Sequence, residues 1–317
     1  MTAIISLESV GKSYGGIRAV DNVTIAIEQG EIFGLLGQNG SGKSTLLKIM
    51  ATLLPQDAGV LRLFGEASVE ALKASRRRIG VVFDHTAHWE HLTGYENAWF
   101  FARAYGLPPN EAKNRLEGLF SALSLWERRD DPVETYSYGM RRKLGLIEAL
   151  AHQPDLLLLD EPSIGLDYET RIHLYELLKE ESQRGATVVF ASNDIHETSA
   201  LAGRVALLEG GRLLVTGEPD ALVLSLDTYT RVLLTLATPI PLAPLSRIQG
   251  VAAVDLDESS ADGCRIRLLV HADAVRSTAT SSLANVIMGV AAQGGRITGI
   301  EVKEPDLGDV FLTYKEQ

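Results

Sequence analysis

Gly37-Gln38-Asn39-Gly40-Ser41-Gly42-Lys43-Ser44-Thr45 stands between an apolar stretch, Glu31 to Leu36, and a run with apolar residues at Leu46, Leu47, Met50 and Leu53. The stretch before reads as a strand and the run after as a helix, so these nine residues form a glycine-rich strand-to-helix turn. Glycines let the backbone bend closely enough for its N–H groups to face phosphate oxygens. Lys43 adds positive charge at the β/γ end of a nucleotide, and the Ser44 hydroxyl is placed to reach Mg²⁺. A plain Gly/Ser turn is the alternative, and the strand before and helix after weigh against it.

Working outward, strands are predicted at Ile4 to Val10, Val23 to Ile27, Glu31 to Leu36, Val60 to Phe64 and Ile79 to Phe83. Arg76-Arg77-Arg78 precedes the last of these and reads as a solvated turn. From about 92 to 150 the apolar spacing is helical, through Ala98 to Tyr105, Leu116 to Leu123 and Leu144 to Leu150, which predicts a helical insert. Strands resume at Leu156 to Leu159 and Thr187 to Ala191, with an amphipathic helix between them. Strands alternating with helices argue for a parallel sheet.

Beyond about Pro219 the rhythm changes. Strands are predicted at Thr230 to Leu236, Val251 to Leu256, Arg265 to Val270 and Arg296 to Val302, with a short helix around Leu242 to Ile248 and a longer one around Ser281 to Ala292. The order βαββαβ predicts a small α+β, ferredoxin-like module. The expected domains are therefore 1–220, with the insert, and 221–317.

Among 317 residues the formal net charge is −11, which gives no bulk attraction to nucleic acid or to anionic lipid. Cys264 is the single cysteine, so an intrachain disulfide framework is excluded. No stretch offers about eighteen consecutive uncharged apolar residues, so work at a membrane would require docking on a partner rather than insertion.

Leu156-Leu157-Leu158-Leu159-Asp160-Glu161 is an apolar strand closed by two acids. At a phosphate site, Asp160 is suited to hold Mg²⁺ and Glu161 to polarise an attacking water. An acid pair ending a strand also occurs as a solvated turn, but the sequel Pro162-Ser163-Ile164-Gly165-Leu166-Asp167 strengthens the chemical reading. Upstream, Tyr136-Ser137-Tyr138-Gly139-Met140 leads into a helix opening with Arg141-Arg142-Lys143. That places a serine hydroxyl and free N–H groups at a helix N-terminus, where an anionic phosphate is favoured.

With these motifs in this order, residues 3 to 220 resemble the nucleotide-binding subunit of an ATP-binding cassette (ABC) transporter. In that family the loop comprising Gly37, Asn39, Gly40, Ser41, Gly42, Lys43, Ser44 and Thr45 is the Walker A motif. Asp160 and Glu161 close Walker B, and Ser163 to Asp167 form the D-loop. Ser137 and Gly139 fall in the signature, and Tyr14 sits where an aromatic stacks on adenine. The resemblance implies an ATPase using ATP and Mg²⁺, with Ser44, Asp160 and Asp84 towards the metal. It also implies that two copies or paralogues face each other head to tail, each ATP lying between the Walker A of one and the signature of the other. A membrane permease is the expected partner, which places the chain in the cytoplasm, peripheral on the inner face of the membrane. The segment through Leu92-Thr93-Gly94-Tyr95-Glu96-Asn97 resembles the region that touches the permease, and Trp89 and Trp99 belong either to that surface or to the packing of the insert. Pro305-Asp306-Leu307-Gly308-Asp309-Val310-Phe311 resembles the tail of drug-, lipid- and polysaccharide-type exporters, and read alone it is a short helix burying Leu307, Val310 and Phe311.

Three positions depart from the family pattern. Asp84 stands where Gln is usual. Asn193, in Ala191-Ser192-Asn193-Asp194, replaces a His; its amide can donate to a γ-phosphate oxygen but cannot take up a proton or carry positive charge. Tyr138 replaces the first glycine of the signature. An ATP-gated dimer with slow or absent hydrolysis is thus an alternative to a transport-coupled ATPase. A soluble ABC protein of DNA repair or translation lacks support, since neither a long coiled-coil insertion nor a second cassette is present.

Overall fold

A computed structural model describes residues 3–83, 87–226, 229–248, 250–257, 264–271 and 282–315. The chain divides into two compact units, 1–216 and 217–317.

The first unit begins with two long strands, β1 (Ala3–Tyr14) and β2 (Ile17–Glu28), joined by Gly15-Gly16, and then β3 (Ile32–Leu36), the loop and α1 (Lys43–Met50). There follow β4 (Ala58–Leu63), α2 (Val69–Ser75), β5 (Ile79–Val82), and the insert helices α3 (Gly94–Ala104), α4 (Pro109–Ala122) and α5 (Tyr138–Leu150). The unit closes with β6 (Leu156–Asp160), α6 (Tyr168–Gln183), β7 (Thr187–Ser192), α7 (Ile195–Leu201), β8 (Arg204–Glu209) and β9 (Arg212–Gly217). β2, β1 and β4 make an antiparallel sheet, while β5-β6-β7-β3-β8-β9 make a second, whose first five strands run parallel. Every residue of β3, β6 and β7 is buried, as a parallel sheet covered on both faces requires. Because β3, β6 and β7 are neighbours with one direction, their C-terminal ends open side by side. The phosphate loop, the acid pair and Asn193 all follow those ends.

Thr93 and Glu96 cap α3 reciprocally, Thr93 Oγ1 accepting from the Glu96 N–H at 3.1 Å and Glu96 accepting from the Thr93 N–H at 2.8 Å. The Trp89 ring packs edge-on against Phe100 at 4.6 Å and beside Phe101, yet stays partly exposed, whereas Trp99 stacks on Tyr95 at 6.0 Å. Both tryptophans therefore contribute to packing of the insert.

The second unit comprises α8 (Pro219–Leu224), β10 (Tyr229–Leu236), β11 (Val251–Leu256), β12 (Arg265–His271), α9 (Ser282–Ala292), β13 (Ile297–Lys303) and α10 (Leu307–Lys315). Its sheet order, β11-β12-β10-β13 with antiparallel neighbours, is the ferredoxin-like arrangement. One expected element is corrected. Residues 242–248 form successive turns rather than a helix, with Leu245 N–H bonded to Leu242 O at 2.8 Å and Ile248 N–H to Leu245 O at 3.2 Å. Pro244 removes a donor there and its ring disfavours helical angles at the residue before it, but Leu245 still fills the core. α10 buries Leu307, Val310 and Phe311.

Candidate functional site

The cleft at the ends of β3 and β6 encloses about 470 Å³ and is lined by residues 39–45 together with Tyr14, Ala19, Asp160, Glu161, Ile164 and Asn193. The loop holds its shape through glycine. Gly42 has φ 101°, a conformation that side chains resist, and a Cβ there would lie 2.2 Å from the Ala19 carbonyl oxygen. A Cβ on Gly37 would lie 2.3 Å from the Leu208 carbonyl oxygen. Gly42→Ala is therefore expected to open the loop and abolish nucleotide binding, measured by fluorescent-nucleotide titration; retention of wild-type affinity would refute this close packing. Lys43 is buried beneath the loop and donates to Gly37 O at 2.7 Å and Gln38 O at 3.1 Å. Burial lowers its pKa, and the nearby carboxylates of Glu161 and Asp160 oppose that shift.

Glu161 sits just past the end of β6 in the left-handed region, φ 48°. Its backbone is held on both sides, the N–H donating to Ala191 O at 2.9 Å and the C=O accepting from Arg142 at 2.7 Å. Its carboxyl pKa is raised chiefly by burial, opposed by Lys43 and by the Asn193 backbone N–H donated to it. Arg142 was not singled out in the sequence. It is buried and also donates to Phe83 O at 2.8 Å and to Asp160 O, tying the end of β5 to the acid pair. The clue lay in α5 periodicity, since Arg142 shares a face with Leu146 and Ala149.

The donor chemistry suits a nucleotide and Mg²⁺. Asp160 Oδ1 and Ser41 Oγ are buried with no hydrogen-bond partner among the described residues, and Asp160, Ser41 and Ser44 all line the cleft. Carboxylate and hydroxyl oxygens are the hard ligands that Mg²⁺ takes, completed by substrate phosphates. Tyr14, about half exposed at 48%, lines the same cleft from the end of β1.

Ser137, Gly139 and Asp167 stand elsewhere. Ser137 caps α5, accepting from the Met140 N–H at 3.3 Å. Asp167 caps α6, accepting from the Thr170 N–H at 2.9 Å and the Thr170 hydroxyl at 2.8 Å, which lowers its pKa to about 2. The two motifs interlock: a Cβ on Gly139 would meet Gly165 O at 2.7 Å, one on Gly165 would meet the Tyr138 ring at 2.7 Å, and Lys143 donates to Thr170 at 2.8 Å. Ser163, in the same loop, is tied by its side chain to the buried Glu197. His196 is exposed on the first turn of α7 and is not among the cleft residues. Asp84 lies outside the described residues.

Comparison with known proteins agrees with this geometry. Residues 20–164 match the family model described as ABC transporter. The chain is 31% identical over 309 residues to the linearmycin resistance ATP-binding protein LnrL of Bacillus subtilis (strain 168), covering 98% of this chain and 97% of that protein. It is 36% identical over 227 residues to the daunorubicin/doxorubicin resistance ATP-binding protein DrrA of Streptomyces peucetius, covering 72% of this chain and 69% of that one. A dimeric structure of a post-hydrolysis state of the ATP-binding cassette MJ0796, bound to ADP and Pi, superposes with a TM-score of 0.62 at 27% identity, over 68% of this chain and 98% of that one. With a cleft built for a nucleotide and a relative matched almost end to end, this chain belongs to the ABC transporter family, among its ATP-binding subunits.

Proposed function

We propose that this chain hydrolyses ATP between two head-to-tail cassettes and so drives export through a separate membrane permease. The observation that carries the reading is the convergence of Lys43, Ser44, Asp160 and Glu161 on one cleft, with Ser137 and Gly139 outside it. In the proposed pair, Ser137 and the N–H groups opening α5 of a second copy approach the γ-phosphate from the far side. The MJ0796 dimer supports such pairing, and the resistance names of LnrL and DrrA support an export role. LnrL matches through the C-terminal unit as well, so that unit belongs to the type of subunit and not to this chain alone.

Within the cleft, Tyr14 presents its ring to the adenine and Lys43 holds the β- and γ-phosphates. Mg²⁺, bound to Ser44 and Asp160, would neutralise phosphate charge. Glu161 accepts the proton of the attacking water, and burial keeps its carboxyl a stronger base than ordinary glutamate. No helix among the described residues is long and apolar enough to cross a membrane. The permease is therefore proposed to hold the chain at the inner face, through the insert. Affinity purification from membranes is expected to recover an integral membrane protein together with the chain; recovery with ribosomes or DNA instead would overturn the assignment.

One observation favours slow turnover as a second reading. Asn193 lines the cleft where a proton carrier would serve, and His196 lies outside it. Asn193→His is expected to raise turnover about tenfold, by adding a charged donor at the γ-phosphate. An unchanged rate would show that Asn193 does not limit the reaction.

A further inference from the structure

We propose that the C-terminal unit is a self-association surface, in which β13 pairs antiparallel with β13 of a second copy about a two-fold axis at Val302. Two four-stranded sheets would thereby join into one of eight. Among the described residues β13 is an edge strand, bonded on one side to β10. Its other side presents a row of backbone N–H and C=O groups, the template on which an added strand forms. The register places Ile300 opposite Leu234 and Val302 opposite Val232, and both of those partners are fully buried. Directly opposed residues share a sheet face, so Ile300 and Val302 extend the row that Val286 and Val290 of α9 cover. The cover stops short of them: Ile300 is 44% exposed and Val302 52%. A core row therefore runs out uncovered to a strand edge.

Charge identifies the occupant as a second copy of this chain. Glu301 and Lys303 lie on the opposite face of β13, two residues apart. With the two-fold at Val302, valine meets valine, Glu301 meets the partner's lysine and Lys303 meets its glutamate. Two ion pairs and one β-branched pair thus arise from three consecutive residues, the self-complementarity that an isologous contact demands. Moving the axis to Glu301 would oppose two glutamates, and moving it to Lys303 would oppose two lysines. The same register sets Ile300 opposite the partner's Glu304, and Pro305, without an N–H, ends the ladder just beyond. Within one chain Glu301 takes Arg265 at 3.1 Å and Lys303 at 2.8 Å, and Glu301 and Lys303 remain about half exposed, open to a neighbour.

The test uses the full chain without nucleotide, so its outcome does not depend on cassette pairing around ATP. In sedimentation equilibrium the wild type is expected to self-associate. Glu301→Lys and Lys303→Glu are each expected to weaken that association about tenfold. An equimolar mixture of the two variants should recover wild-type affinity, since one copy then carries two positive charges and the other two negative at facing positions. Loss of fold in either variant could not give such recovery. In a Cys264→Ser background, Val302→Cys should form a disulfide-linked dimer under mild oxidation. Ile300→Cys should not, because its counterpart would lie about 13 Å away along the strand. A monomer at all concentrations, charge variants without effect, a mixture that fails to recover, or cross-linking through Ile300→Cys in place of Val302→Cys would each overturn the proposal.

Discussion

Replacing Glu161 with Gln is expected to lower ATP turnover by about 10²- to 10⁴-fold, the range a positioned general base supplies, while leaving nucleotide bound. The amide is isosteric, so the left-handed turn at φ 48°, the Glu161 N–H to Ala191 bond and the Arg142 bond to the Glu161 carbonyl all survive. What is lost is the proton acceptor, and with it the negative charge facing Lys43. The wild-type pH profile checks the same group independently. Burial raises the Glu161 pKa above its ordinary 4.5. The active form is the carboxylate, so turnover should be full at neutral pH and decline as pH falls through that raised value. The acid limb should consequently lie above 4.5. Single-turnover hydrolysis with radiolabelled ATP measures both effects; a variant that turns over at the wild-type rate would remove Glu161 from the chemistry.

The fold was legible where one local pattern had one structural solution. The strand-loop-helix around Lys43, the four leucines before Asp160 and, after residue 220, the four strands and the helix at Ser282–Ala292 became elements close to their predicted bounds. β8 and β9 were missed, because Arg204–Gly217 lies between recognisable motifs and its strands gain their identity from pairing beside β3. At 242–248 apolar spacing suggested a helix, and Pro244 decided against it. In the site, backbone-binding motifs were readable because phosphate constrains glycine, lysine and serine at fixed spacing. Arg142 was not, since which of three consecutive basic residues turns inward depends on how α5 packs against β5 and β6. The lock between Tyr138 and Gly165 was equally hidden, as it joins two motifs separated by more than a helix and a strand.

Lys43→Ala carries the other large expected effect, a loss of ATP affinity of about 30- to 1,000-fold, corresponding to roughly 2–4 kcal/mol for a buried cation bonded to phosphate. Lys43 spends two donors on Gly37 O and Gln38 O, which fixes its ammonium group beneath the loop. Removing it also removes the charge that restrains the Glu161 pKa, so any residual turnover should have its acid limb displaced further upward. Isothermal titration with ATP reads the affinity, and an unchanged dissociation constant would mean that Lys43 only braces the loop.

If each ATP lies between the Lys43 cleft of one copy and the Ser137 helix terminus of another, the two parts need not belong to the same chain. Lys43→Ala and Ser137→Arg should each be inactive alone, the first for want of a cleft and the second because bulk and charge obstruct the helix terminus that faces the partner's phosphate. The decisive measurement is ATP turnover of the two variants mixed in equal amounts with permease present. Turnover well above that of either variant alone is expected, since each mixed pair holds one cleft with both parts intact; a mixture as inactive as its components would contradict the composite site.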